Sequence, residues 1–312
     1  MALLGAKYTS DNAWQKQFAS RLRKDADLSK TNWFRVGGVA DYVFKPENSE
    51  DLAAFFKAVP QDVPITVLGV GSNIIVRDGG IEGVVIKLGR WFVDMQVVDD
   101  GLNQALAKLV VGAGCLDINV ALFACDHGFA GLEFLSGIPG TMGGAVFMNA
   151  GAYGSDISQV LIDCEVVLRS GEIRYFTNQE MGFTYRHSEL PEGAIVTRAV
   201  LQATPDEHKV IAQRMQEISS KREETQPIRS RTGGSTFKNP EGHKAWELID
   251  KAGCRGMTLG GAQVSELHCN FLINTGGATA ADLESLGERV IALVKEKTGV
   301  TLEWEIKRIG RK

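Results

Sequence analysis

Two glycine-rich segments contain the residue types best suited to binding phosphate. Gly69-Val-Gly-Ser-Asn73 follows an apolar run, and Ser136-Gly-Ile-Pro-Gly-Thr-Met-Gly-Gly144 places four glycines around Pro139. Glycine permits positive φ and close backbone approach to a ligand, and successive N–H groups in such turns form a nest that binds anions. Each segment alone is also typical of an ordinary turn. As a pair, they predict two loops that bracket an extended diphosphate.

The common nucleotide-binding fingerprints do not describe these loops. The chain contains no G-x-x-x-x-G-K-[ST] sequence, which excludes a P-loop enzyme. Gly69 and Gly71 follow an apolar strand, but Ile74 occupies the place of the third glycine, which disfavours a Rossmann dinucleotide fold. We therefore expect an anion nest rather than a helix terminus.

Composition excludes several other classes of protein. A chain of 312 residues with 44% hydrophobic residues and a net charge of −4 can bury a core, so disorder is excluded. A pI near 5.8 argues against a nucleic-acid partner. Five cysteines without a C-x-x-C pair indicate free thiols in a reducing cytoplasm and no metal site. The longest uncharged run, 134–155, is too rich in glycine for membrane insertion, and nothing indicates a signal peptide or an obligate protein partner.

Strands and helices that alternate along the chain must position the loops. A strand–helix–strand order at the start predicts a mixed sheet domain, and a long polar helix leads to a separate last third. The predicted helices are a polar arm in the first thirty residues, a helix capped by Asn48, and helices at 117–127, 206–224, 245–252 and 279–297. The predicted strands are 40–44, 65–68, 74–76, 83–88, 109–111, a hairpin of 160–168 with 173–176, 194–203, 270–274 and 301–309.

Six sequence phrases, in this order, resemble the bacterial UDP-N-acetylenolpyruvoylglucosamine reductase family. The resemblance runs from about residue 31 to residue 310 and is nearest to the shorter type, which lacks an extra inserted loop. The phrases are Leu68-Gly-Val-Gly-Ser-Asn-Ile-Ile-Val76, Gly131-Leu-Glu-Phe-Leu-Ser-Gly-Ile-Pro-Gly-Thr-Met-Gly-Gly144, Asn149-Ala-Gly-Ala-Tyr-Gly154, Phe183-Thr-Tyr-Arg186, Gly234-Ser-Thr-Phe-Lys-Asn-Pro240 and Leu302-Glu-Trp-Glu-Ile-Lys-Arg308.

The resemblance implies an α+β fold. It comprises a two-part FAD-binding domain of the vanillyl-alcohol-oxidase (PCMH) type and a C-terminal α/β substrate-binding domain. We expect the first FAD-binding subdomain at 1–72, with the strand 301–312 returning to it, the second at 73–212, and the UDP-sugar domain at 213–300. The implied FAD contacts are Gly69, Val70, Gly71, Ser72, Asn73, Ser136, Ile138, Pro139, Gly140, Thr141, Gly143 and Gly144.

The implied reaction belongs to peptidoglycan precursor synthesis. NADPH reduces a tightly but non-covalently bound FAD, which then reduces UDP-N-acetylglucosamine enolpyruvate to UDP-N-acetylmuramate. Hydride addition builds negative charge on the substrate carboxylate and then requires a proton. The resemblance assigns the carboxylate to Arg186, whose guanidinium matches it bidentately, and the proton to Ser235. It assigns assistance to Glu305, which alternation along the last strand places on one face with Glu303 and Lys307.

Contacts to the UDP-sugar are implied for four residues: Tyr153, Tyr185, Asn239 and His268. The family often has a diphosphate-binding lysine before a proline, but this chain reads Glu224-Thr-Gln-Pro227 there. Three basic residues could substitute for it: Lys221, Arg229 and Arg231.

Two other functions stay open at this point. Another FAD oxidase of the same fold would act on an alcohol or a sugar, and such enzymes commonly tether the flavin through a His or Cys that the 136–144 loop lacks. A non-catalytic nucleotide-binding module would not require Arg186, Ser235 and Glu305.

Overall fold

A four-stranded sheet and two helices form the first unit of the computed structural model, which describes residues 12–98 and 106–312. The longer helix begins as predicted at Asn48, whose side chain accepts a hydrogen bond of 2.7 Å from the Asp51 N–H. Its apolar face buries Phe55 and Phe56 against the sheet. In sheet order the strands are β1 (Leu22–Asp27), β2 (Val39–Phe44), β5 (Ile81–Ile86) and β3 (Ile65–Val67), and the helices are α1 (Ala13–Gln17) and α2 (Ser49–Ala58).

A larger antiparallel sheet forms the second unit. Its helices pack on a core of small and aliphatic side chains, and the predicted hairpin is confirmed. In sheet order the strands are β12 (Ile173–Thr177), β11 (Leu161–Val167), β13 (Ile195–Pro205), β7 (Ala107–Gly112) and β6 (Met95–Val98), with β8 (Phe129–Ala130) paired to the end of β13. The helices are α3 (Asp117–Asp126), α4 (Met142–Phe147) and α5 (Ile157–Val160), and β9 (Gly151–Ala152) pairs with β10 (Ser155–Asp156).

The connecting helix α6 (His208–Thr225) leads to a third unit, in which two helices pack on a small antiparallel sheet. A capping box at Thr279 begins the longer helix, as predicted, and Gly299 ends it at φ +75°. The sheet comprises β14 (Arg231–Thr232), β17 (Leu272–Asn274), β16 (Ala262–Val264) and β15 (Thr258–Leu259), and the helices are α7 (Ala245–Lys251) and α8 (Ala280–Thr298).

The chain end returns to the first unit. β18 (Lys307–Ile309) pairs in parallel with β4 (Ile74–Val76), directly after the first glycine loop. The prediction of one continuous strand over 301–309 is wrong, because only the last three of these residues are in a strand and Trp304 makes an isolated bridge to Phe237.

The prediction of a helical arm over the first thirty residues is wrong within the described residues. Helix α1 ends at Gln17, and β1 pairs antiparallel with β2. The polar sequence LRKDAD has little strand signal of its own, so the pairing with β2 determines its conformation. Residues 1–11 lie outside the described residues.

Strand pairing also bears on the predicted subdomain boundary at 72. Strand β5 lies between β2 and β3, and α2 packs in the same apolar cluster. We therefore propose that the first unit extends through β5, whereas the boundaries near 212 and 300 stay predictions.

Candidate active site

A cavity of about 440 Å³ lies where the three units meet. Both glycine loops line it, together with residues of β9, α6 and the chain end. Three predicted catalytic residues border it: Arg186, Ser235 and Glu305. Residues more than a hundred positions apart in sequence are thus brought to one site.

The first glycine loop, 69–73, lines the cavity along its whole length. Gly71 has φ +69°, and a Cβ there would lie 2.7 Å from the Cα of Asn32, so both its conformation and its surroundings require glycine. A Cβ on Gly69 would lie 2.5 Å from Thr141 Oγ1. The two loops are therefore in direct contact at this end.

The second glycine loop differs from the expected nest. It begins in a short 3-10 helix, Glu133–Gly137, and continues directly into α4, for which Thr141 is the N-cap residue. A helix N-terminus therefore lies within this loop, and the expected anion nest stays a prediction here.

Most of the predicted FAD contacts in the second loop line the cavity, and two do not. The Ser136 hydroxyl donates to the Glu133 carbonyl over 2.7 Å. Gly143 packs on Ala113 and donates its N–H to that residue's carbonyl over 2.8 Å. Both residues therefore stabilise the loop through contacts within the protein, and their contact with a cofactor stays a prediction.

An ion pair holds the predicted catalytic arginine. Arg186 Nε donates to Glu305 Oε1 over 2.9 Å, and its Nη2 donates to the Gly151 carbonyl over 3.0 Å. Both side chains are mostly buried, with exposures of 21% and 13%. Arg186 has φ +57°, an uncommon conformation for a residue with a side chain. Such strain persists only where the surrounding contacts maintain it, and it is common at functional sites.

Ser235 enters the cavity from the third unit. It follows Gly233, which packs on the Phe34 ring, and Gly234, which has φ +77°. The residue is half-buried, and its hydroxyl has no hydrogen-bond partner among the residues that the structure describes. The hydroxyl is therefore available to a ligand.

The chain end separates two glutamates that the sequence placed on one face. Glu305 lies in the cavity, and its backbone N–H donates to the Thr236 carbonyl over 2.8 Å. The Glu303 side chain is 75% exposed, faces Lys238 at 3.5 Å and does not line the cavity. The expected position of Glu303 beside Glu305 and Lys307 is wrong, because this segment is not a regular strand, whereas Glu305 and Lys307 both line the cavity.

The four predicted substrate contacts lie outside the cavity lining. Tyr153 is 39% exposed, and its ring covers Gly137. The Tyr185 ring lies 5.0 Å from the Arg186 guanidinium. Burial raises the pKa of the Tyr185 hydroxyl, and the negative charge of Glu305 adds to this shift. Asn239 accepts from the Ala245 N–H, and burial lowers the pKa of His268. Their contacts with substrate stay predictions.

Sequence reasoning missed a half-buried arginine. Arg222 lies in the last turn of α6 and lines the cavity, and its Nε donates to Gln226 Oε1 over 3.2 Å. Burial lowers the pKa of its guanidinium. The predicted substitutes for the diphosphate lysine, Lys221, Arg229 and Arg231, are exposed and do not line the cavity. Only the orientation of α6 distinguishes Arg222 from Lys221.

Residues 12–98 and 106–312 contain neither a metal-binding cluster nor a membrane-spanning helix. No group of three or more His, Cys, Asp or Glu side chains there could hold a metal ion. None of the helices in those ranges has the length and apolarity needed to cross a membrane.

Comparisons with known proteins agree with the architecture. Residues 40–177 match a family described as FAD binding domain, and residues 226–309 match UDP-N-acetylenolpyruvoylglucosamine reductase, C-terminal domain. The fold is thus an FAD-binding domain followed by a C-terminal domain of that reductase type.

Curated relatives and a solved structure extend the match to nearly the whole chain. UDP-N-acetylenolpyruvoylglucosamine reductase of Gluconobacter oxydans is 56% identical over 95% of both chains, and that of Acidiphilium cryptum is 55% identical over 93% of this chain and 92% of its own. A crystal structure of the enzyme from Thermus caldophilus has a TM-score of 0.78 at 35% identity and covers 93% of this chain and all of its own. The chain belongs to the UDP-N-acetylenolpyruvoylglucosamine reductase family.

Proposed function

We propose that this protein reduces UDP-N-acetylglucosamine enolpyruvate to UDP-N-acetylmuramate with NADPH, in peptidoglycan precursor synthesis. The observation that carries the proposal is the meeting of Arg186, Ser235 and Glu305 in a cavity lined by both glycine loops. Bound FAD would accept a hydride from NADPH and pass it to the carbon–carbon double bond of the substrate. The relatives that share more than half of the sequence carry the name of this reductase.

The residues present fit FAD. The Gly69–Asn73 loop has the positive φ and the close packing that keep backbone N–H groups accessible to a diphosphate. The second loop adds Thr141 and the start of α4. All five cysteines are buried, and burial raises the pKa of Cys115 to about 11, so this thiol is not activated for a flavin tether. Binding is therefore proposed to be non-covalent.

Arg186 is proposed to bind the substrate carboxylate. Glu305 fixes the guanidinium through Nε, and the Gly151 carbonyl fixes it through Nη2, so its orientation is set before substrate binds. A preorganised donor stabilises the negative charge that develops on the carboxylate without reorganisation during the reaction. Glu305 thus acts at least in part by positioning Arg186.

Ser235 is proposed to donate the proton to the adjacent carbon. Its unpaired hydroxyl lies in the same cavity as Arg186. A serine is a weak acid in water, so it can act only where charge develops beside it and solvent is excluded.

Arg222 is proposed to contact the substrate diphosphate. It contributes positive charge to the cavity and lies shortly before the Glu224–Pro227 segment, where the expected lysine is absent. An arginine can bind phosphate oxygens bidentately. Tyr153, Tyr185, Asn239 and His268 are proposed to surround the sugar or the uridine once the substrate bridges the second and third units.

We place the enzyme in the bacterial cytoplasm, where NADPH and nucleotide-linked precursors are found, and propose that it needs no obligate protein partner.

Purified protein tests this proposal directly. It should be yellow, release flavin on denaturation and oxidise NADPH rapidly only when the enolpyruvyl UDP-sugar is present. An alcohol or sugar oxidase would instead reduce oxygen with its own substrate and ignore the UDP-sugar. Colourless protein that cannot take up FAD would overturn the proposal.

A further inference from the structure

Asp117 is a fully buried carboxyl group with no partner. It is the first residue of α3 and has 0% exposure. Neither carboxyl oxygen takes part in a hydrogen bond with any residue that the structure describes. Buried polar groups are nearly always paired, so an unpaired one in a native fold requires an explanation.

The missing partner has an energetic consequence. Burial raises the pKa of Asp117 well above its ordinary value, and no charged neighbour opposes this shift. Burial thus favours the protonated form of the carboxyl group, which offers one O–H donor and one carbonyl acceptor. Leaving both unused costs stability.

The position of Asp117 points to the cofactor. The residue borders the active-site cavity. Its backbone N–H donates to the Gly140 carbonyl over 3.2 Å, and a Cβ on Gly140 would lie 2.6 Å from Oδ2. The carboxyl group thus lies against the second glycine loop, at the border of the cavity.

The two ends of the glycine loops differ in what they approach. At one end Gly69 contacts Thr141, and Asp117 lies next to Gly140. At the other end the Asn73 carbonyl accepts from the Lys307 N–H over 3.1 Å, two residues from Glu305. The flavin ring must lie at the catalytic end, where Arg186 and Ser235 meet the substrate. The end near Asp117 is therefore left for the other half of the dinucleotide.

We propose that Asp117 binds the adenosine half of FAD, with its buried, unpartnered carboxyl group forming hydrogen bonds to the base edge or the ribose hydroxyls. The inference rests on the proposed function, since it requires FAD in the cavity. Asp117 then increases the affinity for FAD relative to FMN, and the adenosine supplies the hydrogen-bond partners that the buried acid lacks.

The test compares FAD with FMN on flavin-free protein. Asp117→Leu should raise the unfolding temperature of the flavin-free protein, because it removes an unpaired buried acid. It should also weaken FAD binding at least tenfold and leave FMN binding unchanged, both measured by flavin fluorescence titration. Asp126→Leu, an exposed acid at the end of the same helix, is the matched control and should change neither affinity.

Two results would overturn the proposal: FAD affinity unchanged in Asp117→Leu, or an equal loss of FAD and FMN affinity, which indicates a structural role. If Asp117→Leu does not fold, Asp117→Ala replaces it. A lower ratio of FAD affinity to FMN affinity in Asp117→Ala then supports the proposal, and an unchanged ratio overturns it. Failure of the proposed function is distinct, because the unsubstituted protein would then bind FAD without oxidising NADPH in the presence of the enolpyruvyl UDP-sugar, or would bind no flavin at all.

Discussion

The active-site residues differ in how firmly the protein holds them. Arg186 is fixed at two atoms and has a strained backbone, whereas the Ser235 hydroxyl is unpaired. The difference agrees with the proposed roles. A carboxylate-binding group gains from a fixed orientation, and a proton donor must be free to hydrogen-bond with the substrate.

Substitution of Ser235 by alanine separates the two halves of the reaction. We expect Ser235→Ala to leave flavin reduction by NADPH intact and to slow flavin reoxidation by the enolpyruvyl substrate by about a hundredfold or more, a typical loss for a general acid. Stopped-flow absorbance of the flavin measures each half separately. Ser230→Ala, an exposed serine outside the cavity, is the control and should behave as the unsubstituted protein. Loss of the reductive half alone would refute the role of Ser235.

At the scale of elements, the glycine loops are shaped by what packs behind them. Gly71 lies against Asn32, whose side chain amide donates to the carbonyls of Leu28 and Val36 over 2.8 Å each. The loop therefore packs on a segment whose conformation is fixed by the hydrogen bonds of Asn32. The close packing explains why this short stretch holds its shape without belonging to a helix or a strand.

Gly71→Ala tests the cost of this packing. A methyl group there must adopt positive φ and displace the Asn32 backbone, so we expect a larger loss of stability than the roughly 1–2 kcal/mol of positive φ alone. Gly242→Ala is the matched control, because Gly242 has φ +71° with open space around it. Urea unfolding measures the free energy of unfolding of both variants. A fluorescence titration should show weakened FAD binding for Gly71→Ala only. Equal losses of stability in the two variants would contradict the packing argument.

At the scale of the whole molecule, contacts far apart in sequence tie the third unit to the first. Arg77 pairs with Glu284 at 2.8 Å. Both carboxyl oxygens of Asp78 accept backbone N–H groups at the start of α8, from Ala280 and Ala281, over 3.0 Å each. Together with the pairing of β18 to β4, these contacts hold the third unit, which carries Ser235, against the first unit.

Removal of FAD should lower the stability of the whole molecule. A ligand that binds only the folded state stabilises it by about 4 kcal/mol at a thousand times its dissociation constant. Because elements of all three units line the cavity, we expect a single unfolding transition that moves to higher temperature as FAD is added back. Differential scanning calorimetry at several FAD concentrations measures the shift. An unfolding temperature independent of FAD would contradict the proposed site.

The sequence by itself determined the kind of cofactor site, most of the elements and the candidate catalytic residues. Glycine spacing and helix capping depend on neighbours in the chain, so the loop at 69–73 and the helices starting at Asn48 and Thr279 could be predicted. The family phrases added Arg186, Ser235 and Glu305, which then met in one cavity.

Only the tertiary structure decided which side chains face that cavity. The structure selected Arg222 rather than Lys221, separated Glu303 from Glu305 and made a strand of 22–27 through pairing with β2. It also left Asp117 buried without a hydrogen-bond partner among the described residues. Each of these depends on packing between segments far apart in the chain, and local sequence patterns carry no information about such contacts.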